Sequence, residues 1–389
     1  MSAKTKKILL FVLYACLVFV PVICLNLSTP KNAEIVTESR IQPPEKLADY
    51  LYYLELEDYS FDAMPKKDSP FFTTGCSSVR KGDLYGRNLD LSYCDIPEFI
   101  VRVDASRNRF ASIGICADLT ISGSEDDISK KQLRAMPNVT NDGINENGVV
   151  VSVNVVDATG MDDMSGTAPG KDKLHSSRVV RYLLDRAESA RHAIELMKDV
   201  DIVGGFSGYA LHWMIADEND TFVVEIIDGE LVVSENEQFY MTNFYLNYGP
   251  ALTGQYIAGI VFEKIPLLND YAIGVERWCI LRDGYDAVAT EQDMVNLLAS
   301  VRGTAMYSRD NNPLWYSEVS GGTISIHSDK ADLDNELNRQ IGLFENRDRT
   351  NPQGDWITWH TAVYDIPSRS LCVYSQEDYS VDYRFELAE

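Results

Sequence analysis

The feature that most limits what this chain can fold into is a succession of short β-branched runs that begins after Cys76. FIVRVDAS, RFASIGICADL and GVVVSVNVV are each bounded by turn residues, which marks them as strands. Asn147-Gly148 and Asp228-Gly229 sit where hairpin turns belong, the second joining TFVVEII to ELVVS. Residues 356–387 alternate in the same manner. Helical patterns are few. The clearest covers 177–199, and 275–287 and 291–301 follow. Strands with so few helices between them predict antiparallel sheets covered by helices, an α+β fold, and argue against a Rossmann pattern. No internal repeat is visible.

The N-terminus reads as a membrane signal. Lys4, Lys6 and Lys7 precede residues 8–25, an uncharged stretch. As a helix rising 1.5 Å per residue it would span about 27 Å, close to the hydrocarbon thickness of a bilayer. The Lys cluster puts the N-terminus inside and the remainder outside. A cleaved secretory signal would want a shorter apolar run and a small-residue cleavage site, and a lipoprotein signal a small residue where Ile23 precedes Cys24. Residues 1–25 are therefore read as an anchor or signal, with the uncleaved anchor preferred. Residues 26–75 are read as a linker and propeptide. Within it, 44–60 carry Leu and Tyr at mixed helical spacings after Pro44 and predict an amphipathic helix. The main folded domain is then 76–389, and the chain is expected outside the cytoplasm, membrane-anchored or secreted.

Composition excludes some partners. The 389 residues carry 59 acidic against 35 basic side chains, a net charge of −24. No basic stripe offers itself to phosphates, so a nucleic acid is not expected. The cysteines at 16, 24, 76, 94, 116, 279 and 372 form no CxxC pair and no Cys/His ligand spacing, so neither a metal site nor a disulfide scaffold is implied. The five histidines are scattered and read as ordinary core or surface residues.

The informative segment is Gly75-Cys76-Ser77-Ser78 followed by Gly86-Arg87-Asn88-Leu89-Asp90. A Cys after a Gly is usually just a small buried residue. Here a returning strand bearing GRNLD would bring Arg87 and Asp90 back beside it. An Arg lowers a thiol's pKa, and an Asp can position an amine.

Cys76 followed by YGRNLDL resembles the start of the mature choloylglycine hydrolases, the bile salt hydrolase and penicillin V acylase family of cysteine N-terminal-nucleophile hydrolases. Asn141 to Val155 (NDGINENGVVVSVNV) is similar to a further family segment, with Asn154 at its functional asparagine. Tyr240-Met241-Thr242-Asn243 is similar to the family's TN segment, and Arg277 falls where a second arginine is placed. The resemblance implies an αββα four-layer sandwich, preceded here by the membrane-signal helix and propeptide. It implies hydrolysis of a linear, non-peptide amide in an N-acyl amino acid, a conjugated bile salt or a related acyl amide, with no cofactor. Cys76, released by autoproteolysis, would be the nucleophile. Asp90 would hold its α-ammonium, Arg87 and Arg277 would supply positive charge, and Asn154 and Asn243 would donate to the oxyanion. Each residue has a plainer alternative: a surface ion pair for Arg87 and Asp90, turn residues for the asparagines, a solvated helix residue for Arg277. An acyltransferase of the same superfamily and a membrane-anchored binding protein with an inactive site are the competing functions. A homo-oligomer is compatible with either. The 75 residues before Cys76 resemble members made as precursors, and they weaken the bile-salt expectation.

Overall fold

The computed structural model describes residues 42–61, 74–92, 96–117, 128–156, 166–204, 210–235, 239–243, 245–246, 277–278, 280–303 and 356–387. All lie in one compact unit, Ile41–Glu389. The stretch 8–25 expected to meet the membrane, and the linker as far as residue 41, lie outside the described residues. Among the described residues no helix is long and apolar enough to cross a membrane.

The strands form two large sheets. One runs, edge to edge, β1 (Glu45–Ala48), β2 (Leu51–Leu56), β5 (Glu98–Val103), β6 (Ser112–Ala117), β7 (Thr140–Asn145), β8 (Val150–Val156), β11 (Ala210–Ala216), β12 (Thr221–Ile227) and β13 (Glu230–Glu235). The other runs β14 (Tyr240–Met241), β3 (Thr74–Lys81), β4 (Leu84–Ser92), β15 (Trp356–Asp365), β16 (Ser370–Ser375) and β17 (Tyr383–Glu386). Neighbours are antiparallel except β2 and β5, which pair in parallel from Leu51↔Glu98 to Leu56↔Val103. β9 (Lys173–His175) and β10 (Asp201–Val203) make a separate parallel pair. Asp228 and Gly229 have φ of 53° and 77° between β12 and β13, the positive values that a two-residue hairpin turn requires.

Alternation along the strands builds the layers. Leu211, Trp213 and Ile215 of β11 face helices α2 (Val179–Arg186) and α3 (Ala190–Lys198), packing on Leu183, Ala193 and Met197. Met214 and Ala216, on the opposite face, meet Tyr85, Ala362 and Tyr364 of the second sheet. That sheet's far face, with Val79, Val363 and Cys372, is covered by Met294, Val295 and Leu298 of helix α4 (Glu291–Ser300). The order is helix, sheet, sheet, helix. A shorter helix, α1 (Lys130–Ala135), is started by a Ser129–Gln132 capping box.

Two expectations are corrected. The single helix over 177–199 is two helices, because Ser189 breaks the run and caps α3 by accepting from the His192 N–H at 3.1 Å. Asn145 Nδ2 donates to the Ala187 carbonyl at 2.8 Å, closing the end of the preceding segment. The helix expected over 44–60 is the hairpin β1–β2. Leu51 and Tyr53 pack into the core between the sheets, and Tyr52, Leu54 and Leu56 into a cluster with Phe99 and Val101. A strand apolar on both faces has no period that separates it from a helix, and Tyr favours the strand.

Candidate active site

Cys76 lies within β3, opposite Leu89 of β4, and is 1% exposed. Its side chain faces the space between the sheets. Arg87, also fully buried, reaches it from β4: Nη2 donates to Cys76 Sγ at 3.2 Å and to the Val153 carbonyl at 2.7 Å. Gly86 precedes Arg87 because a Cβ there would come within 2.7 Å of the Met294 sulfur and 2.8 Å of Leu298. Helix α4 therefore lies directly on the start of the motif.

Arg87 Nε is 3.7 Å from Asp142 Oδ2, an ion pair too long for a hydrogen bond. Asp142 also accepts from the Tyr364 hydroxyl. His360 Nε2 lies 3.1 Å from Asp142 Oδ2, and its Nδ1 lies 2.8 Å from Glu98 Oε1. Burial alone would lower the His360 pKa, but the two carboxylates outweigh it and push it up to about 10. Burial would raise the Asp142 carboxyl, yet the His360 charge, with Arg87 and Tyr364, holds it below the usual range. Burial likewise opposes the Arg87 charge, and the Cys76 sulfur with Asp142 more than restores it.

Asp90 points the other way. Its Oδ2 accepts from Arg277 Nη1 at 2.6 Å and its Oδ1 from Thr358 Oγ1 at 2.6 Å, on the α4 side of the sheet. Arg277 Nη1 also reaches Ser77 Oγ at 3.4 Å, and its Nη2 donates to Asn243 Oδ1. The same Asn243 oxygen accepts from the Cys76 backbone nitrogen at 2.7 Å. The atom that would become the α-amine thus rests on Asn243, with Arg277 and Asp90 behind it.

The asparagines tie the sheets together. Asn243 Nδ2 donates to the Val155 carbonyl at 2.7 Å, and Asn154 Nδ2 donates to the Thr242 carbonyl at 3.0 Å. Ser78 donates to Asn154 Oδ1 at 3.1 Å, which fixes that amide's orientation. His212 Nε2 lies 2.8 Å from the Thr242 carbonyl as well. Each asparagine commits one of its two N–H groups to a backbone carbonyl, leaving a second for another acceptor.

Of the other five residues singled out in the sequence, Arg87 and Asn243 contact Cys76, Arg277 and Asp90 stand behind Asn243, and Asn154 is joined through Ser78 and the Thr242 carbonyl. What sequence reasoning missed is the second rank: Glu98, Asp142, His360, Tyr364, Thr358 and His212. Asp142 stands inside the quoted NDGINENG segment, but nothing local ties it to His360. Among the described residues no group of His, Cys, Asp and Glu is arranged to hold a metal ion.

Residues 81–247 match the model of the linear amide C–N hydrolases, choloylglycine hydrolase family. Over this segment the chain is similar to the choloylglycine hydrolase family. The matched segment holds Arg87, Asp90, Asn154 and Asn243, while Cys76 and Arg277 flank it on either side. Among solved structures, a variant of conjugated bile acid hydrolase from Clostridium perfringens is similar at 15% identity, over 81% of this chain and 92% of that chain, with a TM-score of 0.48. A second variant of the same enzyme gives 14%, 80% and 92%, with a TM-score of 0.44. Penicillin V acylase from Agrobacterium tumefaciens gives 14%, 81% and 86%, with a TM-score of 0.41. No curated protein matches the chain.

Proposed function

We propose that this protein hydrolyses a linear, non-peptide amide, with Cys76 as an N-terminal nucleophile released by cleavage of the Gly75–Cys76 bond. The observation that carries the reading is the double hold on one residue: Arg87 on the Cys76 sulfur at 3.2 Å and Asn243 on its nitrogen at 2.7 Å. In the mature chain the α-amine takes the thiol proton, since reference pKa values of about 8.5 and 7.7–8.0 leave little driving force between them. The thiolate, facing the Arg87 guanidinium, attacks the substrate carbonyl. The second N–H of Asn154 donates to the resulting oxyanion. The α-amine, positioned by Asn243 Oδ1, returns its proton to the leaving nitrogen, and water then cleaves the thioester. The substrate class is an N-acyl amino acid, a conjugated bile salt or a related acyl amide.

Maturation uses the same thiol. Cys76 Sγ attacks the Gly75 carbonyl, the acyl group moves from nitrogen to sulfur, and water hydrolyses the thioester to leave a Gly75 carboxylate and a Cys76 amine. The segment left upstream includes β1 and β2. Its parallel pairing with β5 and the burial of Leu51, Leu54 and Leu56 favour retention of this piece on the catalytic chain. The Lys-flanked run at 8–25 would then keep the retained piece at an extracytoplasmic membrane surface.

The test is mass spectrometry of the purified wild type and Cys76→Ala, with both assayed on panels of acyl-glycines, acyl-taurines and penicillin V. The wild type should contain a chain beginning at Cys76 that co-purifies with an upstream piece ending at Gly75. The variant should remain one chain and hydrolyse nothing. Hydrolysis by Cys76→Ala would refute the nucleophile, and an intact, active wild-type chain would refute the cleavage.

A further inference from the structure

The buried His360 plays no part in the steps above, yet it stands three contacts from the nucleophile, through Asp142 and Arg87. It lies on β15, is fully buried, and has a carboxylate oxygen at each ring nitrogen: Glu98 Oε1 at 2.8 Å and Asp142 Oδ2 at 3.1 Å. A neutral imidazole has one donor and one lone pair, so it would turn that lone pair toward a carboxylate. The doubly protonated ring satisfies both sides. From there the charges alternate through the molecule: Glu98 negative, His360 positive, Asp142 negative, Arg87 positive, and then the Cys76 sulfur.

We propose that His360 is a positioning residue for the nucleophile: held as an imidazolium between Glu98 and Asp142, it neutralises Asp142 so that the Arg87 charge is left to face the Cys76 sulfur. This rests on Cys76 being the nucleophile. Arg87 divides its attraction between Asp142, 3.7 Å from Nε, and the sulfur, 3.2 Å from Nη2. With the imidazolium present, the four groups behind the sulfur sum to zero and the guanidinium is not drawn off. Without it they sum to one negative charge in a region of low dielectric, and a thiolate beside them is disfavoured. The other titratable groups near this string are Tyr364 on β15, Tyr85 on β4, Cys116 on β6 and Arg181 on α2. Burial pushes the Cys116 thiol up to about 12, and it raises both tyrosines as well, so these three stay neutral at physiological pH. Arg181 is matched by Asp185 at 2.6 Å. The elevated pKa of His360 agrees with the geometry: the ring keeps its proton through the pH range in which a thiol titrates.

Two substitutions change the string by one charge in opposite senses. His360→Gln removes a positive charge and Glu98→Gln a negative one, and glutamine can still donate or accept at each place. The readout is the pH dependence of Cys76 alkylation by iodoacetamide, followed by peptide mass spectrometry. Alkylation reports the thiol whether or not an amide substrate has been found. It also separates this proposal from the nucleophile reading, which hydrolysis by Cys76→Ala would refute. His360→Gln should move the alkylation midpoint up by about one unit, so that labelling below the midpoint is about tenfold slower. Glu98→Gln should move it down. Loosened packing alone would drive both variants the same way. Any outcome in which the two do not move in opposite directions overturns the proposal. If His360→Gln fails to fold by circular dichroism, Glu98→Gln decides alone: a lowered midpoint supports the proposal, and an unchanged or raised one overturns it.

Discussion

Strand β4 carries two charge systems on its two faces, and they divide the work around Cys76. On the inner face Arg87 joins the sulfur to Asp142, His360 and Glu98, all within the space between the sheets. On the outer face Asp90 joins Arg277, Ser77 and Thr358 beneath α4, and this system reaches the Cys76 nitrogen through Asn243. Asp90 lies three positions after Arg87, and a strand's side-chain period of two puts them on opposite sides. β15 serves both faces by a register shift between Thr358 and His360: Thr358 pairs with Asp90, whereas His360 pairs with Leu89. Two residues two apart would normally share a face, and the bulge at Trp359 separates them. One motif therefore tunes the thiol from one side and places the amine from the other.

The largest expected effect breaks the inner face. Arg87→Met removes one partner of a fully buried ion pair and strips the sulfur of its cation. The variant should lose about 3–5 kcal/mol of stability, the usual cost of an uncompensated buried charge. Urea unfolding measures it, and Cys76 alkylation at neutral pH should slow in the same protein. Asp90→Asn should break the outer face less severely, because the amide oxygen still accepts from Arg277 Nη1 and the amide NH2 can donate to the Thr358 hydroxyl. The expected loss is about 3 kcal/mol, at the lower end of that range. The alkylation midpoint should stay near that of the wild type while amide hydrolysis falls by orders of magnitude, since the amine is misplaced and the thiol is not. A midpoint that moves as far in Asp90→Asn as in Arg87→Met would show that the faces are not independent. Reasoning from an exposed, site-lining Asp90 predicts almost no change in melting temperature; its burial at 0% exposure reverses that.

The sequence revealed the parts whose signals are local. β-branched runs bounded by turn residues marked β5, β6, β8 and β15, and Asp228-Gly229 marked a hairpin. The order of Cys76, Arg87, Asp90, Asn154, Asn243 and Arg277 was readable because the resemblance to a family ties those positions together. β2 was not readable as a strand, because LYYLEL is apolar toward both faces and lacks a diagnostic period. The opposite facing of Arg87 and Asp90 follows from period two, but only once residues 84–92 are known to be one unbroken strand. His360, Asp142 and Glu98 come from β15, β7 and β5, which are distant in the chain and become neighbours only when the two sheets stack. No spacing rule along one sequence joins them, so a histidine read as an ordinary core residue turned out to lie between two buried carboxylates.

The smallest expected effect, counted per pH unit, separates the faces by pH. His360 carries the inner face's titratable cation, with a pKa raised from 6.5 to about 10 in the folded chain. A group whose pKa is raised on folding contributes stability that is fully present below its unfolded value, here about 6.5, and is lost as pH climbs through the folded value. Between these limits the unfolded chain has released a proton that the folded chain still holds, so each pH unit removes about 1.4 kcal/mol. The melting temperature of the wild type should therefore decline steadily from pH 7 toward pH 10. His360→Gln begins lower at pH 7, for want of the imidazolium, but should lose that part of the slope, and the two curves should converge as pH rises. Asp90→Asn, which leaves the inner face whole, should run parallel to the wild type at a lower level. Melting curves at four or five pH values decide the matter. Parallel curves for His360→Gln and the wild type would mean that the ring is not charged in the folded chain. Convergence of the Asp90→Asn curve with the wild type instead would move the titrating group to the outer face of β4.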